Sequence, residues 1–177
     1  MSRVALLEQQ KHELLDELRR WTPPRLAFQP AAGEWSVLQM LDHIIRTERE
    51  ILLAVYSNEH RPHRFGIADR LRNRLLNAVF RSDRKVKVPS SASVVLPGDD
   101  IQLSTLSAEW AQVRTTLGQN VDRLVECYSG KALFRHPVGG WMDMPAVLDF
   151  LFVHILHHGF QLQRLRVASV HLQHSSR

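Results

Sequence analysis

At 177 residues, 44% apolar and 23% charged, the chain has the size and composition of one globular domain, 1–177, able to bury its own core, and eight glycines and eight prolines are too few for a fibrous or disordered protein. The formal charge of +5 is local: between Arg61 and Lys87 stand nine Arg and Lys against Asp69 and Asp83, while the remainder is close to neutral, which excludes a chain that is basic throughout. A lone Cys127 without CxxC or Cys-His spacing excludes an internal disulfide, a zinc knuckle and a redox pair, and fits a reducing compartment.

The first twenty residues, MSRVALLEQQKHELLDELRR, are charged throughout, so neither a signal peptide nor a spanning helix is expected; the expected location is cytoplasmic, with no membrane partner. Val4, Leu7, Leu14, Leu18 and Trp21 form one stripe of a first helix over about 3–21, ending before Pro23 and Pro24. Ser36 and Gln39 read as a capping box opening a second helix over about 36–56, with Val37, Met40, Ile44, Ile51 and Val55 inward. A basic insertion over about 58–98 follows. In it, Ile67, Leu71, Leu75, Leu76 and Val79 predict a short amphipathic helix, and KVKVPSSASVVLPGDD a Ser- and Pro-rich loop.

Asp99 or Asp100 is expected to cap a third helix over about 100–126, whose Leu103, Leu106, Trp110, Val113, Leu117, Val121 and Leu124 keep three-four spacing. After HPVGGWM, Asp143 as N-cap and Pro145 in the first turn predict a fourth helix over 144–168, and the final HLQHSSR is expected to fray. With no strand-like alternation and no repeat, the expected fold is all-α, a four-helix bundle with a long crossover connection between helices two and three.

Ten histidines are many for this length, and those aimed inward are the informative ones. At about 100° per residue, His154 and His158 share a face with Val147, Leu151, Leu162 and Leu165, while His157 swings to the edge. His43 lies on the stripe of Met40, Ile44, Thr47, Ile51 and Ala54. Two histidines at i and i+4 with a third from another helix can hold one cation and leave coordination positions open. A single inward histidine is more often a core residue hydrogen-bonded to a carbonyl or hydroxyl, and spacing by itself leaves both readings open.

In order and spacing, WSVLQMLDHI, HPVGG and VLDFLFVHILHHGFQLQRL resemble the pattern of DinB-like (DinB/YfiT-like) metalloproteins over nearly the whole chain: a tryptophan-serine helix start before a first histidine, a histidine-proline-glycine turn, and a last helix ending H-x-x-x-H-x-x-Q. Here these are Trp35, Ser36, His43, His136, Pro137, Gly140, His154, His158 and Gln161. The resemblance implies that His43, His154 and His158 are metal ligands for a divalent ion, nickel or zinc first, iron or manganese next. It also implies the reaction classes of characterised relatives, which are transferases conjugating low-molecular-weight bacterial thiols such as bacillithiol to electrophiles, and a mycothiol-dependent isomerase.

An ion with three neutral nitrogen ligands and open positions acts as a Lewis acid. The leading expectation is therefore thiol S-transfer to an electrophilic small molecule. A metal-dependent hydrolase would need a general base; Glu50, about two turns from His43, is read first as a solvated surface carboxylate and second as that base. A third class is a non-catalytic metal-stabilised or partner-binding bundle, with an exposed surface serving a homodimer.

Gln161 is read first as an interhelical hydrogen-bond partner and second as an orienting group beside His158; His136 reads as a turn residue that could line the opening, and Trp141 as a packing anchor that could roof the cavity. Cys127 reads as filler, and His12, His60, His63, His171 and His174 as surface residues. Arg70, Arg72, Arg74, Arg81, Arg84, Lys85 and Lys87 could meet phosphates or anionic lipid, but no helix-turn-helix or base-stacking pattern accompanies them, which argues against nucleic acid.

Overall fold

The computed structural model describes residues 2–99 and 101–174, apart from the side chains of 173 and 174. It is mostly helical. Four long helices, α1 (Arg3–Leu18), α3 (Val37–Asn58), α5 (Leu103–Cys127) and α6 (Met144–Ala168), share one core, and two short ones, α2 (Pro23–Ala27) and α4 (Ile67–Phe80), lie between them in sequence. The central element is α6, which touches α1, α3, α4 and α5 and buries residues around most of its circumference, among them Val147, Leu148, Phe150, Val153, Ile155, Leu162 and Leu165. Among the described residues no helix is long and apolar enough to cross a membrane.

The caps read from the sequence set two of the four starts. Ser36 Oγ accepts from the Gln39 amide (3.2 Å) and Gln39 Oε1 accepts from the Ser36 amide (3.0 Å), a reciprocal box that opens α3. Asp143 Oδ1 accepts from the Ala146 amide (2.9 Å) and Pro145 occupies the first turn of α6, where its missing N–H costs nothing.

Other expectations are corrected. The first helix stops at Leu18 rather than Trp21, because Pro23 and Pro24, with φ already helical, begin the separate helix α2. The third helix starts at Leu103 behind Gln102 without a side-chain cap; Asp99 is not its cap and Asp100 lies outside the described residues. Ile101 packs on the core ahead of it, which holds the chain extended until the helix begins. The Ser- and Pro-rich loop contains a 3-10 helix, Ser90–Val95. The carboxy-terminal HLQHSSR segment contributes part of a second, Val170–His174, where the Leu172 carbonyl accepts from Thr22 Oγ1 (3.0 Å); residues 175–177 are outside the description.

Strands were not expected, yet β1 (His63–Arg64) pairs with β2 (Lys131–Ala132), and β3 (Phe134–His136) with β4 (Gly140–Met142), both antiparallel. Runs of two and three residues are too short for alternation to show. The HPVGG turn joining β3 to β4 explains itself chemically. His136 Nδ1 accepts from the amides of Val138 (3.1 Å) and Gly139 (2.9 Å). Gly139 runs so close to α4 that a Cβ would fall 2.7 Å from Leu76 Cδ2, and Gly140 has φ +75°, which favours glycine.

Candidate metal centre

Helix α3 presents His43, and α6 presents His154 and His158 one turn apart, so the inward phases calculated from the sequence converge. One ring nitrogen from each residue lies within 4.8 Å of the other two. The three rings are 5%, 4% and 7% exposed, with centroids 5.2 Å (His43–His154), 5.1 Å (His43–His158) and 4.6 Å (His154–His158) apart.

Outer hydrogen bonds set the tautomers. His43 Nδ1 lies 2.7 Å from the Val95 carbonyl, an acceptor only, so Nδ1 carries the proton and Nε2 the lone pair. His158 Nδ1 is 3.0 Å from Gln161 Oε1, which also accepts, leaving a lone pair on His158 Nε2. That Nε2 faces His154 Nε2 at 3.2 Å, while the buried His154 Nδ1 has no hydrogen-bond partner. In the tautomer with the proton on His154 Nδ1, all three Nε2 atoms offer lone pairs to one small buried space. Three converging imidazole donors without a compensating hydrogen fit a cation of the zinc or nickel type.

The environment keeps the imidazoles neutral, as ligands must be. Burial pushes His43 below the ordinary histidine range, opposed by the Val95 carbonyl and Asp42. Burial lowers His154 well below that range, reinforced by His158 and His43. Burial, with His43 adding to it, brings His158 down to about 3 against the partial support of Gln161.

A model of the DinB superfamily matches residues 6–162. The chain belongs to the DinB superfamily. No curated protein matches it significantly.

Around this DinB-superfamily histidine cluster the walls are aromatic and apolar. Trp35 packs on His43 with centroids 4.9 Å apart, Phe150 stacks on His154 at 5.4 Å and 21°, and Phe80 lies 5.8 Å from His154. Between α1 and α6 a cavity of about 220 Å³ reaches His158; Met40, Ile155 and Leu162 line it, and Gln10, Glu17 and Arg166 contribute polar groups. Arg166 and Glu17 form an ion pair across the two helices.

The remaining predicted residues separate clearly. Gln161 bonds to His158 on its own helix, so its role is to orient that ring, not to bridge helices. Glu50 lines a different cavity, with Asp42, Arg46, Arg49, Val94 and Glu109, and not the one that reaches His158. His157 sits at the edge against Phe80 (5.0 Å). His136 packs on Phe150 (4.7 Å) as part of the turn, and burial lowers its pKa to about 4. Trp141 stacks on the exposed His63 (4.5 Å, 12°); the aromatic lid over the cluster is Trp35. Cys127 is exposed rather than filling the core, as are His12, His60 and His171, and the His174 side chain lies outside the described atoms.

Two features carried no signal for sequence reasoning. The Val95 carbonyl is main chain, and any residue there would supply it. Glu48, 1% exposed, accepts from Trp110 Nε1 (2.8 Å) and Arg114 Nη2 (2.5 Å) in the core between α3 and α5, where burial raises its pKa against the pull of Arg114. Within the run RTEREI it reads as one more solvated charge.

Proposed function

We propose that the chain is a metal-dependent enzyme of the DinB superfamily, built as a single four-helix-bundle domain with a long crossover between its second and third long helices, and that it transfers a low-molecular-weight thiol to an electrophilic small molecule. His43, His154 and His158 would hold a divalent ion, nickel or zinc in preference to iron or manganese given an all-nitrogen donor set. The observation that carries the reading is the cavity of about 220 Å³ that reaches His158 from between α1 and α6. A purely structural ion needs no such access.

When bound, the ion supplies Lewis acidity, which lowers the pKa of a thiol placed beside it. The chain's own residues do the rest. Val95 and Gln161 fix the tautomers and planes of His43 and His158. Trp35, Phe80 and Phe150 exclude water from the histidines, and Met40, Ile155 and Leu162 offer the incoming molecule an apolar wall. Overall, a thiol and an electrophile R–X give a thioether and HX: the S–H and C–X bonds break, the S–C bond forms, and X leaves with its electron pair. Thiol transfer is favoured over hydrolysis because Glu50, the base a hydrolase would have used, lines another cavity.

The test is elemental analysis of untagged protein alongside His43→Ala and His158→Ala, followed by thiol-consumption assays with an electrophile panel. Near-stoichiometric metal and thiol conjugation, both lost in the variants, are expected. Metal without conjugation would leave a metal-stabilised bundle and overturn the transferase reading; no metal uptake would overturn both.

A further inference from the structure

Helix α4 has two apolar faces, and only one of them has a partner. Leu76 and Phe80 pack inward, and Asn73 Nδ2 donates to the carbonyls of Gly139 (2.8 Å) and Trp141 (3.1 Å). On the opposite side Ile67, Leu71, Leu75 and Val79 are 84%, 58%, 61% and 41% exposed. Their four-residue spacing advances about 40° per step, so with Ala68 and Ala78 they form one continuous outward stripe.

The borders of that stripe are basic. Arg70 and Arg74 project on one side and Arg72 on the other, all exposed, and among the described residues none of the three is in an ion pair. The helix has one acid, Asp69, and it is turned inward, where its Oδ2 accepts from the Gly66 amide (3.1 Å). The outward face therefore carries apolar area and positive charge with no acid of α4 on it; Asp143, at the start of α6, is near enough to Arg70 to feel its charge, while no described acid pairs with Arg72 or Arg74.

Against the sequence expectation of no membrane partner, we propose that this face of α4 docks on an anionic lipid bilayer, the stripe entering the boundary between headgroups and acyl chains and the arginines reaching up to lipid phosphates. Charge complementarity selects this occupant. A second copy of the chain, paired about α4, would set Arg70, Arg72 and Arg74 against their own counterparts with no acid on that face to neutralise them. A nucleic-acid backbone would meet the arginines but leave Ile67, Leu71 and Leu75 in water. The helix is short, about 21 Å, so it lies on the membrane rather than crossing it. Among the described residues no part of α4 lines the cavity at His158, which stays open in the docked state.

The test is co-sedimentation of the full chain with vesicles of phosphatidylcholine alone or mixed with phosphatidylglycerol, using wild type, Leu71→Ser/Leu75→Ser and Arg72→Gln/Arg74→Gln. Binding at least tenfold tighter to the mixed vesicles is expected, with a tenfold or greater loss in each double variant. The thermal midpoints should hardly move, because all four residues are exposed and neither arginine is in an ion pair among the described residues. The proposal is overturned if neither vesicle is bound, if both are bound equally, or if binding survives Leu71→Ser/Leu75→Ser. Two other results would overturn it by assigning the face elsewhere: wild-type self-association in the ultracentrifuge abolished by Leu71→Ser/Leu75→Ser, or duplex DNA binding without vesicle binding.

Discussion

Gln161 Oε1 lies 3.0 Å from His158 Nδ1, one turn further along the same helix, and so decides which nitrogen of that imidazole faces the cluster. Replacing Gln161 with Leu keeps the size of the side chain and removes the acceptor. Metal affinity is expected to fall about 10- to 100-fold, the usual effect of losing a ligand's hydrogen-bond partner. Competition with a chromophoric chelator measures it, and an unchanged affinity would mean that packing alone orients His158.

The pair Glu48–Arg114 is buried at 1% and 3% exposure with Trp110 bonded to the same carboxylate. Glu48→Ala strands a buried guanidinium whose Nε and Nη1 already lack partners. A loss of about 3–5 kcal/mol is expected in urea unfolding. Glu48→Leu/Arg114→Leu removes both charges and is expected to be milder than Glu48→Ala, the reverse order being the result that contradicts this reading.

His136 makes stability sensitive to acid. Its folded pKa is about 4, below the unfolded value near 6.5, because it is buried and its Nδ1 already accepts from two amides. With the folded pKa depressed, the unfolded chain binds more protons. Its contribution is therefore complete above about pH 6.5 and is lost as pH falls through about 4. Unfolding free energies from urea titrations between pH 7 and 4 should drop more steeply for wild type than for His136→Asn, by at most about 3 kcal/mol over the window.

Gly140 stands at φ +75° with only ordinary contacts around a built Cβ, the nearest being Arg72 Cδ at 3.5 Å. Gly140→Ala therefore isolates the conformational cost, expected at about 1–2 kcal/mol. A thermal scan checks it. No loss would mean that the β3–β4 turn relaxes to negative φ.

What the sequence made legible follows from periodicity. Long amphipathic runs and the Ser36 and Asp143 caps predicted α3 and α6 within two residues, and helical phase was enough to pick His43, His154 and His158 from ten histidines. What it could not show depends on contacts far along the chain. Glu48 meets Arg114 across 66 positions, and His43 meets Val95 across 52. Gln161 was misjudged because its face was readable but its rotamer was not: the side chain turns back along α6 instead of crossing to a neighbour. Glu50 shows the same limit, since sharing a helix face with His43 does not mean sharing a cavity with His158.

The segment between α4 and α5 returns to α3 at two successive residues. Asp42 Oδ2 accepts from the Gly98 amide (2.8 Å), and His43 reaches the Val95 carbonyl. The connection is thus anchored at its far end by the same turn of helix that carries a member of the histidine cluster. For anyone recombining this scaffold, Ser90 to Gly98 must travel with α3, and α4 must travel with α6, because Leu76 and Phe80 pack on the core and Phe80 walls His154. A graft that ignores that seam would leave the fold's long helices intact and still release the first imidazole from its tautomer.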